Sequence, residues 1–359
     1  MKLLICTQKV DKEDDVLGFF HSWLDEIAKH YQSVVVICLE RGRYILPKNV
    51  KVLSLGKEEF NRFTPYVNRP IKKLLYLLRF YRYLWQIRND YNKVLVHMNP
   101  EYLVLGGLSW RIKKRKIALW YTHKQVNLKL RIAEKLANTV FTASEESFCL
   151  PSKKLKIVGH GIDINYFQPD INKKPNEIFK IIYVGRLSKI KNQLLLLKAI
   201  NILNQAGVKN ILVKLIGGAK RKYDKEYLLL LNKFVKENKL EQFVEFPGGI
   251  PYKNIVYQYR EADLSINLCP TGGMDKVVLE SMACQVPAIV LNKTFKPDFK
   301  EYCEQLILEK EDPEELAEKI NNFIKMDING RQQIGRRLRQ QVVDNYSLDK
   351  TISKIINEL

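Results

Sequence analysis

"FKIIYVGRLSKIKNQLLLLKAI", residues 179–200, is a short apolar run, a glycine, a basic turn and then leucines at helical spacing. The run before Gly185 is apolar but for Lys180 near its start, so it reads as a strand covered on both faces, and the leucine-rich stretch after the turn reads as a helix. The pattern recurs outward in both directions. Downstream strands are "ILVKLIG" (211–217), "FVEF" (243–246), "LSINLC" (264–269) and "PAIVL" (287–291). Upstream strands are "KLLIC" (2–6), "SVVVICL" (33–39), "VKVLSL" (50–55), "KVLVH" (93–97), "KIALWY" (116–121) and "TVFTAS" (139–144), with amphipathic stretches such as 16–31 between them. Such alternation predicts α/β architecture with parallel strands covered by helices. The polar, proline-bearing stretch 167–178 reads as a linker. The expected organisation is a first doubly wound Rossmann-like domain over 1–166, a second over 179–342, and a terminal helical segment, 343–359, returning to the first. Two such domains facing across a cleft would bind ligands at the carboxyl ends of their strands.

Composition narrows the class. At 46% hydrophobic and 28% charged residues the chain is globular in character, and no stretch approaches the roughly 20 apolar residues of a membrane span. Acidic residues follow the short apolar start where a signal peptide would continue, so a cytoplasmic protein is expected. Six scattered cysteines, Cys6, Cys38, Cys149, Cys269, Cys284 and Cys303, form no zinc or disulfide pattern. The formal net charge is +21, and residues 1–170 hold 29 Lys/Arg against 16 Asp/Glu. Two segments, 68–93 and 111–120, dominate that excess. A polyanionic partner is implied. The interleaving of cations with Leu, Tyr, Phe and Trp in 68–93 suits either a helix whose apolar face covers the sheet while its charges face water or one that meets an anionic membrane surface, the basic excess in the first half favouring a membrane-surface or lipid-linked acceptor. No nucleic-acid-binding module is present, and no nucleic-acid partner is expected.

Two strand-to-helix loops carry chemistry. In the first, Gly185 permits a tight turn, and Arg186 and Lys191 flank a helix start whose free N–H groups favour anions. That spacing suits a diphosphate clamp, or two solvated surface charges. In the second, "TGGMDKVVLESMACQVPAIV" (271–290), Gly272 and Gly273 let a ligand approach the backbone, Asp275 sits at the helix start, and Lys276 to Leu279 would present N–H groups to a phosphate. Glu280 is placed to accept hydrogen bonds from a ribose diol. Lys276 has two partners open to it, a donor phosphate or Asp275.

"VGRLSKIKN", "GHGIDINYF" (159–167), "EFPGGIPYKNIVYQYREADLSINLCP" (245–270) and "KVVLESMACQVPAIV" together resemble the retaining glycosyltransferases of family 4, which have the GT-B fold. The resemblance is strong in the second half and loose in the first. It implies that Arg186 and Lys191 hold the donor diphosphate, that the helix start at Val277, Val278 and Leu279 binds its distal phosphate, and that Glu280 holds the ribose. Phe246, Gly248 and Ile250 would meet the base, and the strand-end glycines Gly185 and Gly217 belong to the same donor-binding set. Relatives usually carry a sugar-holding Glu where this chain has Gly272, so the transferred sugar would be held by backbone amides of the Gly272-Gly273-Met274 loop, by Asp275, or less tightly. In the first half Gly18 matches a glycine loop, and His123, just after a strand, matches a catalytic-centre histidine. The implied reaction is retaining transfer from a UDP- or GDP-linked sugar to a glycan or lipid-linked acceptor, with no metal or other cofactor. A sugar-nucleotide epimerase and a non-catalytic sugar-nucleotide-binding protein are the alternatives.

Overall fold

A computed structural model describes residues 1–63, 68–270 and 272–359. The chain forms two compact units, Met1–Gly161 with Leu348–Leu359, and Ile162–Ser347. Residues 162–178 therefore lie with the second unit, where Ile162 and Phe167 are part of its core.

In the first unit seven described strands make one parallel sheet: β1 (Lys2–Val10), β2 (Ser33–Arg41), β3 (Val50–Ser54), β4 (Lys93–His97), β5 (Lys116–Trp120), β6 (Thr139–Thr142) and β7 (Leu155–Ile157). Their order is β3-β2-β1-β4-β5-β6-β7. Alternation along the strands makes two cores. Leu3 and Ile5 of β1, with Val34 and Val36 of β2, point into one layer, while Leu4, Cys6, Val35 and Ile37 point into the other. The helices α1 (Phe19–Ala28), α2 (Lys57–Phe63), α3 (Arg69–Gln86), α4 (Pro100–Ile112) and α5 (Leu128–Leu136) connect these strands.

The second unit has five described parallel strands, β8 (Phe179–Val184), β9 (Ile211–Ile216), β10 (Val244–Gly248), β11 (Leu264–Asn267) and β12 (Ala288–Val290), ordered β10-β9-β8-β11-β12. Its helices are α6 (Gln193–Gln205), α7 (Lys222–Glu237), α8 (Tyr252–Glu261), α9 (Lys276–Ala283), α10 (Lys296–Phe299), α11 (Cys303–Leu306), α12 (Pro313–Lys325) and α13 (Ile328–Asn345). A last helix, α14 (Leu348–Glu358), packs in the first unit with α1. The chain leaves β8 toward β9 and β10, then returns on the other side of β8 as β11 and β12. The loops after β8 and β11 thus diverge from neighbouring strands, which opens the crevice where α/β sheets bind ligands.

Candidate donor-binding site

The β8 and β11 loops are the two that carry the candidate residues, and adjacency of the strands brings them together. Lys191, in a one-turn helix before α6, places its Nζ 2.6 Å from Oδ2 of Asp275, the residue preceding α9. The same Oδ2 accepts from Asn267 Nδ2 at 2.9 Å. Beneath them the buried Tyr183 donates its hydroxyl to the Lys191 carbonyl and accepts from the Leu268 amide at 3.1 Å. One hydroxyl on β8 therefore ties both loops. Sequence reasoning missed Tyr183 and Asn267; a polar side chain closing the apolar strand "LSIN" was the available signal for the latter.

Arg186 stands at the same loop but is engaged differently. Its Nε lies 3.9 Å from Oδ2 of the buried Asp224 on α7, and its carbonyl accepts from Gln193 Nε2 at 3.0 Å. Gly217, ending β9, packs directly on this loop, since a Cβ there would collide with the Gly185 carbonyl. Gly217 N in turn donates to the Gly248 carbonyl at 2.9 Å, which sets Phe246, Gly248 and Ile250 beside the same crevice edge. Gly272 has φ +133° with open space around it, and Gly273 accepts from Asn292 Nδ2 at 3.1 Å. Met274 is buried in the second core.

Lys276 has a partner that the sequence reading did not name: its Nζ lies 3.6 Å from Glu280 Oε1, one helical turn on, while Asp275 pairs with Lys191. Val277, Val278 and Leu279 lie between them, and Tyr259 donates to the Val277 carbonyl at 3.1 Å. The Glu280 carboxylate is 3% exposed and also meets the Tyr259 hydroxyl at 3.5 Å and that of Tyr252. Burial raises the Glu280 pKa above the usual carboxylate value, against the pull of Lys276 and the tyrosine hydroxyls. Burial likewise lowers Lys276 to about 8, against the attraction of Glu280. The Lys276 ammonium lies 5.1 Å from the centre of the Tyr252 ring. Glu280 is thus a buried acceptor held in a cluster of donors.

Gly18 and His123 belong to the first unit. Gly18 precedes α1 and donates its amide to the Asp14 carbonyl at 3.2 Å. His123 is exposed in the loop after β5, its ring 5.9 Å from that of Tyr121. The acidic run at 11–15 gathers on Lys9, which pairs with Asp11 at 3.1 Å and Asp14 at 2.8 Å. Among the described residues no cluster of His, Cys, Asp and Glu is arranged to hold a metal ion.

Two loops joined at a strand switch, with a cation pair and a buried carboxylate, occur in a chain segment of recognisable descent. Residues 165–341 match the family described as glycosyl transferases group 1. That match covers 177 of the 359 residues, just under half of the chain, and lies within the second unit. Among curated proteins the chain is similar to WcaL of Escherichia coli (strain K12), named as a colanic acid biosynthesis glycosyltransferase, at 23% identity over 205 residues, 55% of this chain and 48% of WcaL. It is also similar to the capsular polysaccharide biosynthesis glycosyltransferase CapH of Staphylococcus aureus, at 35% identity over 80 residues, 22% of each chain. The matches span about half or less of these relatives. Among solved structures HepE of Anabaena in complex with UDP aligns over 100% of both chains with a TM-score of 0.75 and 18% identity. HepE was also solved with UDP-glucose. The fold is GT-B, with two Rossmann-like units.

Proposed function

We propose that the protein is a retaining glycosyltransferase that moves a hexosyl group from a UDP- or GDP-linked sugar to a glycan or lipid-linked acceptor. The observation that carries this reading is the joining of the β8 and β11 loops through Lys191, Asp275 and Tyr183 at the strand switch of a glycosyl transferase domain. UDP and UDP-glucose bound to HepE, and the polysaccharide roles in the names of WcaL and CapH, support it. In this reading Arg186 and Lys191 hold the diphosphate and the α9 amides from Val277 to Leu279 its distal phosphate. Glu280 takes the ribose by exchanging its tyrosine partners for two sugar hydroxyls, and Phe246 to Ile250 meet the base. Asp275 faces the transferred sugar in place of the carboxylate that Gly272 lacks.

The bond from the sugar's anomeric carbon to the diphosphate breaks with its electron pair going to the diphosphate. The acceptor oxygen bonds to that carbon on the same face, and its proton passes to the departing phosphate oxygen. The protein's part is to hold fixed cations and amides where negative charge accumulates, which is worth more than new contacts in the ground state. No metal is required. The basic first unit suits an acceptor at an anionic membrane surface on the cytoplasmic side.

Incubating the purified chain with a panel of UDP- and GDP-sugars, and following thermal stability and release of nucleoside diphosphate, tests the proposal. One donor should raise the melting temperature and be consumed, and Lys191→Ala should abolish both effects. Binding without any turnover would mark a sugar-nucleotide-binding protein, consistent with Gly272, and binding of no member of the panel would end the donor assignment.

A further inference from the structure

Helix α3 is apolar on two opposite sides. Phe80 and Leu84 are buried in the first unit. On the other side Ile71, Leu74, Leu78, Tyr81 and Trp85 recur at intervals of three and four residues and are all exposed, Leu78 at 57% and Trp85 at 68%. That spacing keeps one face over about 21 Å of helix. Isolated exposed apolar residues are ordinary on a protein surface, but a continuous stripe on a helix already anchored by its other side marks an interaction face. The Tyr81 hydroxyl donates to the Leu105 carbonyl at 3.0 Å, which brings α3 beside α4 one turn before its own exposed Leu108 and Ile112.

Charge identifies the occupant. Residues 68–89 contain six Lys/Arg and no Asp or Glu, and α4 runs into "RIKKRK" at 111–116. A second copy of this chain would bring the same cations against themselves. The Arg88 guanidinium stacks 4.6 Å from the centre of the Trp85 ring, joining a cation to an aromatic ring as at a headgroup boundary. We propose that the exposed stripe of α3, with the basic side chains around it, inserts into the interface of an anionic lipid bilayer. This deepens the membrane-surface part of the functional reading and rests on it. Charge draws the unit to the surface, and the stripe enters the headgroup and upper acyl region.

The chain provides its own probe, since Trp23, Trp110 and Trp120 are buried and Trp85 is the exposed one of its four tryptophans. The full chain should float with vesicles of 70:30 phosphatidylcholine and phosphatidylglycerol, and not with phosphatidylcholine alone. Its emission should move to the blue and be quenched by brominated acyl chains, and Trp85→Phe should remove both signals. Replacing Leu74 and Leu78 together by Ser should lower vesicle partition by about tenfold or more, without changing the melting temperature, because both are exposed. Flotation with anionic vesicles without quenching of Trp85 would overturn insertion while leaving surface attraction and the transferase reading intact. Equal flotation with neutral vesicles would overturn the anionic assignment. Self-association reversed by the double Ser variant, without flotation, would assign the stripe to a second copy and overturn the proposal. Nucleotide-sugar binding should be unchanged in that variant, so failure of the donor assignment is read separately.

Discussion

Asp275 carries two duties on one side chain, because its Oδ2 already neutralises Lys191 and accepts from Asn267. Read from sequence, Asp275→Asn removes a sugar ligand and spares the diphosphate. The ion pair alters that expectation, since the variant also frees Lys191 from its competing carboxylate. Calorimetry should then find diphosphate affinity unchanged or tighter, and the nucleotide sugar weaker by about 1.5–3 kcal/mol, the range for a hydrogen bond to a charged group. Equal weakening of both ligands would show that Asp275 serves only to support the loop. Lys276 gives a pH-dependent prediction. Its folded pKa of about 8 is below the ordinary value of 10.5, so between these two pH values the unfolded chain binds more protons than the folded one. Stability contributed by this group therefore climbs as pH rises from about 8 to about 10.5, and below pH 8 the buried ammonium lowers it. Lys276→Met should flatten that climb in denaturant unfolding compared at pH 7.5 and pH 9.5. A slope identical to wild type would exclude Lys276 as its source.

At the level of elements, the donor loops depend on how closely strands can approach. A Cβ on Gly217 would meet backbone, the Gly185 carbonyl, and backbone cannot swing aside as a side-chain tip can. Gly217→Ala should therefore displace the 185–191 loop, reducing nucleoside diphosphate affinity by about tenfold, a size typical of misplaced binding groups. Unaltered affinity would mean that β9 and the loop shift together. Gly272 is the opposite case, with room for a side chain but φ at +133°. Gly272→Glu should lower stability by about 1 kcal/mol or more in thermal melts, and should not raise transfer, because the backbone resists the change. All the described strands but one were legible as apolar runs, since a strand buried on both faces must be apolar throughout. The short edge strand β7, Leu155–Ile157, was not, because its residues are partly exposed and its sequence is lysine-rich. Helix α13 was missed for a related reason: only Ile334, Leu338 and Val342 form its apolar line amid Gln, Arg and Gly.

At the scale of the whole molecule, the last twelve residues complete the first unit. Leu348, Ile352, Ile355 and Leu359 are buried with Phe20, Trp23, Leu24 and Ile27, and Thr351 donates to the Val158 carbonyl at 3.1 Å. Each such apolar side chain contributes about 1.5–3 kcal/mol, so four together rival the 5–15 kcal/mol that holds a typical domain folded. Deleting 348–359 should expose the amides of α1 to hydrogen exchange, while β8 and β9 in the second unit keep their protection. Loss of protection in both units alike would show that they unfold as one. Ile352→Ala, a milder change, should cost about 2–5 kcal/mol.

The order of strands and helices, β7 and α13 apart, and the two loops that bear Arg186, Lys191, Gly272 and Glu280, were determined by the sequence alone, because hydrophobic periodicity and glycine placement are local properties. Which charges meet was not. Lys276 stands near both Asp275 and Glu280 along the chain, Lys191 near neither, and only the pairing of β8 with β11 brings Asp275, 84 residues away, to Lys191, while Lys276 turns to Glu280 one helical turn on. The same holds for α3, whose sequence is apolar on two sides. Packing of Phe80 and Leu84 against the sheet decided which side is core, and thereby which side, with Trp85, was left facing outward. Periodicity counts apolar faces, but a face is buried only when another element covers it, and that depends on residues far away in the chain.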